Sequence, residues 1–442
     1  MNGHLAAIAD GSGGFGAQNG ALATVESTTK LSPGEVVAQR TVTRYTLTQE
    51  QLRKSEGLHR TNVVLSLTST AFGLAVLGAL IAARFAPRVQ RVAEAISRKR
   101  FVQAAIFVPA LLLTLAFLEL PLDVYGHHVS REYGLSVQGW GSWLGDWAKS
   151  ELLIVTFATL TLWGLYAGIR RAPRRWWLYA WLASLPIMAA MVFAAPVIID
   201  PLFNRFEPLA KGNPELTLQL RRLAHTAGLE IPESRIFLMH ASDKVTTYNA
   251  YVTGFGATKR IVVWDTTARD LTLPQILFVF GHETGHYVLH HIYLGLAFTA
   301  LLTLVGLWLT QRLAEAALTR FGERWQIRAM GDWSSLPVLM LLAGLLGFFG
   351  EPLGNAFSRW EEHNADVYGL AITRPFAQDA GQIAAQSAAQ AFQVLGEKSY
   401  SYPDPSPFLV FWSYSHPPIS ERIRFALSSD LNRATSPPKV PD

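Results

Sequence analysis

The sequence contains no cysteine among its 442 residues. This absence excludes disulfide bonds, thiolate zinc sites and a cysteine nucleophile, and it leaves the redox compartment undetermined. Charged residues are also scarce, at 16%, whereas half of the residues are hydrophobic. A chain of this size with so little charge is too apolar for an ordinary soluble enzyme, so we expect a membrane protein.

The N-terminal region lacks the basic and long apolar segments of a signal peptide, and it is rich in Gly and Ala from Met1 to about Ala23. We expect residues 1–60 to form a disordered, extra-membrane segment. The formal net charge is +5, but the basic residues occur in short tracts between apolar runs. That distribution favours membrane topology over nucleic-acid binding, so we expect no nucleic-acid partner.

Apolar runs long enough to cross a bilayer, which takes about 20 helical residues, occur six times. They lie at about 62–83, 101–122, 152–169, 176–199, 293–310 and 335–355. The third and fifth runs are short, so the expected number of spans is five to seven. The sequence therefore predicts a mainly α, multi-pass helical membrane protein.

Two polar sections interrupt the spans and divide the chain into parts. Spans one to four occupy 61–204, a polar insert occupies 205–292, spans five and six occupy 293–357, and a C-terminal polar section occupies 358–442. Within the insert, an amphipathic helix is expected over 214–227, followed by Gly228 as its C-cap. Short strands are expected at Ile236–Met239 and Arg260–Trp264, which makes the insert a small α+β domain.

The insert ends in a His-Glu-x-x-His motif formed by His282, Glu283 and His286. Two histidines four residues apart fall on one helix face and can bind one Zn²⁺, with Glu283 beside the open metal position. A buried helix is expected over 271–291, with Asp270 or Thr272 as its N-cap. The pattern is typical of a zinc hydrolase.

The alternative is a helix whose histidines only form hydrogen bonds in a core. Gly281 and Gly285 argue against it, because they thin the helix and make room for close neighbours at a cost in helix propensity.

A catalytic zinc site takes three protein ligands, so the two histidines need a partner. The best candidate stretch is 358–366, where Glu362 and Asp366 lie one helical turn apart. Spacing alone does not choose among Glu361, Glu362 and His363. A solvated acidic helix start is the alternative interpretation of this stretch.

Three motifs follow one another along the chain: His282-Glu283-Thr284-Gly285-His286, Ser358-Arg359-x-x-Glu362-x-x-Ala365-Asp366 and Ser415-His416-Pro417-Pro418-Ile419-x-x-Arg422. In order and spacing they resemble the integral-membrane gluzincin peptidases typified by the type I CAAX prenyl endopeptidase. With further similar stretches, such as Asn249-Ala250-Tyr251-Val252-Thr253-Gly254, the resemblance covers about 45–425. The combination is specific, whereas the first motif alone occurs in many unrelated zinc enzymes.

The resemblance implies one Zn²⁺ per chain, a set of zinc ligands and a general base; the ligands are His282, His286 and Glu362, and the base is Glu283. It implies that Asp366 orients a ligand imidazole, that Asn249 lies on an edge strand facing the substrate, and that His416 and Arg422 face the metal. His416 is a candidate donor to a developing oxyanion, or else a turn histidine before two prolines. Arg422 is equally consistent with pairing to Asp366.

The resemblance further implies a membrane-embedded zinc metalloendopeptidase with an enclosed intramembrane chamber. Its substrate would be a peptide or protein with a hydrophobic or lipidated portion, in a bacterial inner membrane or an endoplasmic reticulum type of membrane. Membrane-protein quality control is an alternative role. An inactive scaffold or receptor that keeps the fold, or a transporter, would be the non-proteolytic alternatives.

Arginine-rich loops at 84–100, 170–175 and 312–328 all lie opposite the zinc side if there are six spans, whereas the facing loop 123–149 contains only Arg131 and Lys149. By the positive-inside rule the zinc side is then exocytoplasmic.

Overall fold

The computed structural model describes residues 31–254, 258–376 and 382–428. The expectation for residues 1–30 lies outside this part of the chain. The described residues are mostly helical, and their helices are α1 (Pro33–Ala38), α2 (Gln49–Ala82), α3 (Phe85–Ile96), α4 (Arg100–Glu132), α5 (Trp140–Arg171), α6 (Trp176–Ala194), α7 (Asp200–Phe203), α8 (Pro214–Thr226), α9 (Asp265–Asp270), α10 (Leu273–Val288), α11 (His291–Trp325), α12 (Leu336–Thr373), α13 (Gln382–Ser399), α14 (Pro407–Ser413) and α15 (Ile419–Ala426).

Five helices are long and apolar enough to cross a membrane: α2, α4, α5, α11 and the stretch Trp333–Phe376, which contains α12. The bent pair Trp176–Val192 and Ala195–Phe203 makes a sixth span if it is counted as one. The bend falls at a π-helical turn, Ala195–Ile199, which carries Pro196, and such turns with proline disturb the regular hydrogen-bond ladder. The expected count of five to seven spans is confirmed.

The helices extend well beyond the apolar runs that mark them in the sequence. α2 begins at Gln49, where the side chains of Thr48 and Gln51 satisfy each other's backbone N–H groups. The expected disorder of residues 1–60 is therefore wrong for the described residues 31–60, most of which belong to α1 and α2. The expected boundary at 357/358 falls inside α12, because the helix runs unbroken from the span to Thr373.

The five spans and α6 form a closed ring. Each helix contacts the next in the order α2, α4, α5, α6, α11, α12 and back to α2. None of the residues in the most apolar stretch of α11 is buried, although this helix contacts both of its neighbours. A close-packed bundle would bury one face of every helix. The neighbouring helices therefore cover the apolar side chains of this part of α11 only in part.

One end of the ring is filled by a hydrophobic cluster around Phe107, Tyr166 and Trp333. The three arginine-rich loops meet at this end. Arg84 donates to the carbonyl of Arg324 at 3.0 Å, Arg328 pairs with Glu94 at 2.9 Å, and Arg170 donates to the carbonyl of Gly331 at 3.4 Å. The loop expected at 84–100 contains α3, whose buried residues face α4. The basic loops thus lie together at the packed end.

The other end of the ring carries the polar insert. Its four-stranded sheet has the order β1 (Phe206–Pro208), β2 (Ile236–Met239), β4 (Arg260–Trp264) and β3 (Ala250–Thr253). β2 and β4 are parallel and aligned from Ile236 opposite Ile261, whereas β1 and β3 are antiparallel to their neighbours. A second hydrophobic cluster joins this sheet to α8, α10, α13 and α15, so the insert and the C-terminal section share one core.

The expected insert elements are found with small changes. α8 ends at Thr226, and Gly228 follows it in the left-handed region at φ +74°, which is the usual way for glycine to end a helix. The insert also contacts the ring directly, because Val137 donates its N–H to the carbonyl of Lys244 at 3.0 Å. This contact joins the insert to the loop between α4 and α5.

Candidate metal centre

The motif histidines lie on α10, which begins after Thr272, one of the two expected N-caps. The N–H of Thr272 donates to the side chain of Gln275 at 3.0 Å, and Pro274 occupies the first turn, where its missing N–H costs nothing. The helix ends at Val288 rather than at the expected residue 291. The reason is His290, whose backbone turns into the left-handed region at φ 60° and starts α11 in a new direction.

α10 packs against α12 at unusually close range, and glycines make this approach possible. A Cβ atom at Gly281 would lie 3.0 Å from Ile372, and one at Gly285 would lie 3.1 Å from Tyr368. On the facing helix, a Cβ atom at Gly369 would lie 2.9 Å from the backbone nitrogen of His282. The prediction that the motif glycines make room for close neighbours is confirmed, and Gly369 is a third such residue.

This packing brings His282, His286 and Glu362 together. The two Nε2 atoms are 3.2 Å apart, and they lie 3.3 Å and 3.4 Å from the Glu362 carboxylate oxygens. One ligand atom from each residue lies within 4.8 Å of the others. Of the three residues that spacing left open, Glu362 faces the histidines, whereas His363 packs against Phe425.

The donor set fits a metal ion. Glu362 Oε2 is buried and makes no hydrogen bond among the described residues, although two imidazoles stand within about 3.5 Å of the carboxylate. Two nitrogens and a carboxylate oxygen are the ligands of a catalytic zinc site. A cation between the two Nε2 atoms and the Glu362 carboxylate would bind lone pairs that otherwise face one another in a buried place.

Asp366 and Arg422 lie behind His282. Asp366 Oδ1 is 2.8 Å from His282 Nδ1, so the Nδ1–H donates to the carboxylate and Nε2 is left to face Glu362. Arg422 binds Asp366 through two bonds of 2.8 Å and 2.6 Å. Burial lowers the pKa of His282, but hydrogen bonds to Asp366 and Glu362 outweigh it and raise that pKa to about 9.

Glu283 is the carboxylate of the motif that no ligand position requires. Burial raises the pKa of Glu283, and the neighbouring His282 and His286 oppose the shift in part. A general base works best when its pKa approaches the operating pH. The environment of Glu283 is therefore of the kind that tunes a carboxylate for proton transfer.

His416 reaches the centre from the loop before α15. Its Nε2 lies 3.2 Å from Glu362 Oε1, and 59% of its side chain is exposed. The backbone ahead of it is held by α12, because Arg359 donates to the carbonyls of Val410 and Tyr414 and Asn355 donates to that of Trp412. The position of His416 depends on these anchors, since its exposed ring has little packing of its own.

One neighbour of the site was not foreseen from the sequence. His291 Nδ1 lies 3.0 Å from His286 Nδ1, and His291 is 5% exposed beside the ring of Trp360. It is the first residue of α11, brought back towards α10 by the turn at His290. The pair His290-His291 directly after the motif helix was the available signal.

Asn249 stands apart from this cluster. It is exposed at the start of β3, where Thr267 exchanges hydrogen bonds of 2.8 Å with its backbone N–H and carbonyl. Among the described residues, no hydrogen bond joins it to the two histidines or to Glu362. β3 does contact α10, so Asn249 directly precedes the strand beside the motif helix.

Two family models match this chain. One, described as CAAX prenyl protease N-terminal with five membrane helices, matches residues 35–205, and the model of peptidase family M48 matches residues 210–429. The chain is 37% identical over 78% of its length to a protein of Bacillus subtilis named as an uncharacterised metalloprotease, of which it covers 78%.

Two further comparisons extend to eukaryotic proteins. CAAX prenyl protease 1 of Saccharomyces cerevisiae is 27% identical, with 85% of each chain covered. Among solved structures, the crystal structure of S. mikatae Ste24p has a TM-score of 0.74 at 23% identity, covering 86% of this chain and 90% of that one. At that identity the match shows the fold.

Proposed function

Since the chain belongs to peptidase family M48 and is an integral-membrane zinc metalloprotease, we propose that His282, His286 and Glu362 hold its single zinc ion and that Glu283 is the general base. The observation that carries this assignment is the convergence of the two Nε2 atoms on a buried carboxylate, one oxygen of which makes no hydrogen bond among the described residues. It also favours an active enzyme over an inactive scaffold that merely keeps the fold.

When bound, zinc supplies Lewis-acid chemistry, polarising the scissile carbonyl and lowering the pKa of a water molecule. Glu283 accepts the proton of the attacking water and passes it to the leaving amine. His416, whose Nε2 lies 3.2 Å from Glu362 Oε1, donates to the oxygen on which charge develops. Asp366 keeps His282 in the tautomer that presents Nε2, and Arg422 holds Asp366.

The assignment is tested by exchanging neighbouring carboxylates. Glu283→Gln should retain zinc and lose turnover, and Glu362→Gln should lose zinc. Glu361→Gln is the matched control, since Glu361 adjoins the proposed ligand without being one, and it should keep both. Metal analysis and cleavage of a fluorogenic peptide measure the outcomes; an active Glu283→Gln protein would falsify the role of the base.

We propose that the substrates are membrane-associated peptides with a hydrophobic or lipidated portion. The support is the ring of apolar spans to which the metal-centre helices are joined and the similarity to proteins named CAAX prenyl protease 1. Membrane-protein quality control is the second candidate. A peptide cleaved faster with a hydrocarbon chain than without one supports the first, and equal rates together with cleavage of unfolded membrane proteins support the second.

The division of the chain at 204/205 is likewise a proposal, supported by the two matched ranges that meet there. For sidedness we propose that the metal centre is exocytoplasmic, because the arginine-rich loops gather at the opposite end of the ring. A reporter fused after residue 428 that works only in the cytoplasm would contradict this orientation.

A further inference from the structure

A cavity of about 490 Å³ lies between α2, α12 and the segment 399–414. Its size is that of sites that hold small molecules. None of the candidate metal ligands lines it, so it is separate from the metal centre. One part of its lining is apolar, and it is formed by Leu58, Val63, Leu67, Phe348, Phe408 and Trp412.

The other part of the lining is polar and carries hydrogen-bonding groups. His59 stacks on Tyr402, with ring centroids 4.7 Å apart and planes 13° apart, and its Nδ1 lies 3.4 Å from the hydroxyl of Tyr414. Asn62 and Ser401 complete this part. An apolar wall beside a polar one matches a ligand that has a hydrocarbon chain and a polar end.

The cavity adjoins the bilayer. Its α2 wall belongs to a membrane-spanning helix, and Leu67 and Phe408 on its lining are 50% and 65% exposed. Phe411, on the same short helix as Phe408, is 49% exposed. Large exposed apolar side chains beside a span are typical of a membrane contact, so a hydrocarbon chain can enter from the lipid without crossing water.

The cavity also adjoins the metal centre. Its wall at Trp412 and Tyr414 is fastened to α12 by Asn355 and Arg359. These two residues precede Glu362 by seven and three positions on the same helix, about 10 Å and about 5 Å along its axis. The cavity wall and the metal centre are therefore built on the same part of α12.

We propose that this cavity binds the hydrocarbon anchor of a lipidated peptide whose scissile bond lies at the metal centre. The inference rests on the proposed peptidase function and names the element that selects its substrate. Tyr414 lines the cavity, and His416, two residues later, contacts Glu362. A peptide attached to the bound chain can therefore reach the metal centre.

The test fills the cavity without touching the metal centre. Ser66 is a small lining residue on α2, so Ser66→Trp places an indole in the space of the chain. Thr68→Trp is the matched control, because Thr68 is exposed on the same helix and does not line the cavity. Both variants are compared on a fluorogenic peptide carrying a thioether-linked isoprenyl chain and on the same peptide without it.

We expect Ser66→Trp to raise KM for the lipidated peptide about tenfold and to leave KM for the unmodified peptide unchanged. The control Thr68→Trp should leave both KM values unchanged. Equal effects on both peptides, or none, overturn the inference.

Binding of the lipidated peptide is also measured in the Glu283→Gln background, where turnover is not needed. If Ser66→Trp weakens binding in this background, the cavity binds the lipidated peptide. Failure of the wild-type protein to cleave either peptide would then refute the proposed function and leave the cavity inference standing. If Ser66→Trp leaves binding of the lipidated peptide unchanged but no longer co-purifies with a phospholipid, the cavity is a lipid site. Either unchanged binding alone or this result overturns the inference.

Discussion

Replacing Gly369 by alanine tests whether close contact between α10 and α12 builds the metal centre. The new Cβ would lie 2.9 Å from the backbone nitrogen of His282 and 3.1 Å from its Cα. Because these atoms belong to a helix backbone, no side chain can rotate away, and the helices must separate. Alanine gains about 1 kcal/mol in helix propensity, but overpacking costs about 1–3 kcal/mol, so we expect a net loss of stability of about 1 kcal/mol.

The separation should also weaken zinc binding, since it moves His282 away from Glu362. Gly347→Ala is the control on the same helix, because a Cβ there meets nothing within 4 Å, and it should be neutral or stabilising. Zinc titration of the detergent-solubilised proteins and thermal unfolding measure both effects. If Gly369→Ala is as stable as Gly347→Ala and binds zinc as tightly as the wild type, the argument from backbone contact is refuted.

Three further predictions concern the residues around the ligands. His416→Ala should lower kcat about 100-fold. Arg359→Met should also lower kcat, but in the His416→Ala background it should cause little further loss, because Arg359 acts through His416. Additive losses in that double-mutant cycle would contradict the anchoring role. His291→Ala should weaken zinc binding about 10–100-fold, and zinc affinity equal to the wild type would count against it. Asp366→Asn should weaken zinc binding similarly and also destabilise the fold, since buried Arg422 loses its carboxylate; a thermal scan and a zinc titration check both.

The sequence indicates the parts of the site that depend on helix periodicity. His282 and His286 share a face because they are four residues apart, and the same argument connects Glu362 with Asp366. The choice of Glu362 over its neighbours depends on how α12 is rotated against α10, which the glycines on both helices determine. That rotation is a property of packing and not of either segment alone.

Other features depend on atoms that side-chain patterns do not mark. His291 approaches His286 only because His290 adopts a left-handed backbone conformation, and five-residue spacing would not place the two on one helix face. Arg359 binds backbone carbonyls, which every residue has. β1 is three residues long and ends in Pro208, so only its pairing with β2 makes it a strand.

The unbroken course of α12 has a mechanical consequence. Its 38 residues make a rod about 57 Å long, nearly twice the hydrocarbon thickness of about 30 Å. The rod carries Glu362 eleven residues before its C-terminal end. The histidines lie on α10, and the chain changes direction between α10 and the next span at His290. A change in bilayer thickness that tilts the span therefore moves Glu362 relative to the two histidines. The glycine contact between α12 and α10 is the point about which α12 turns.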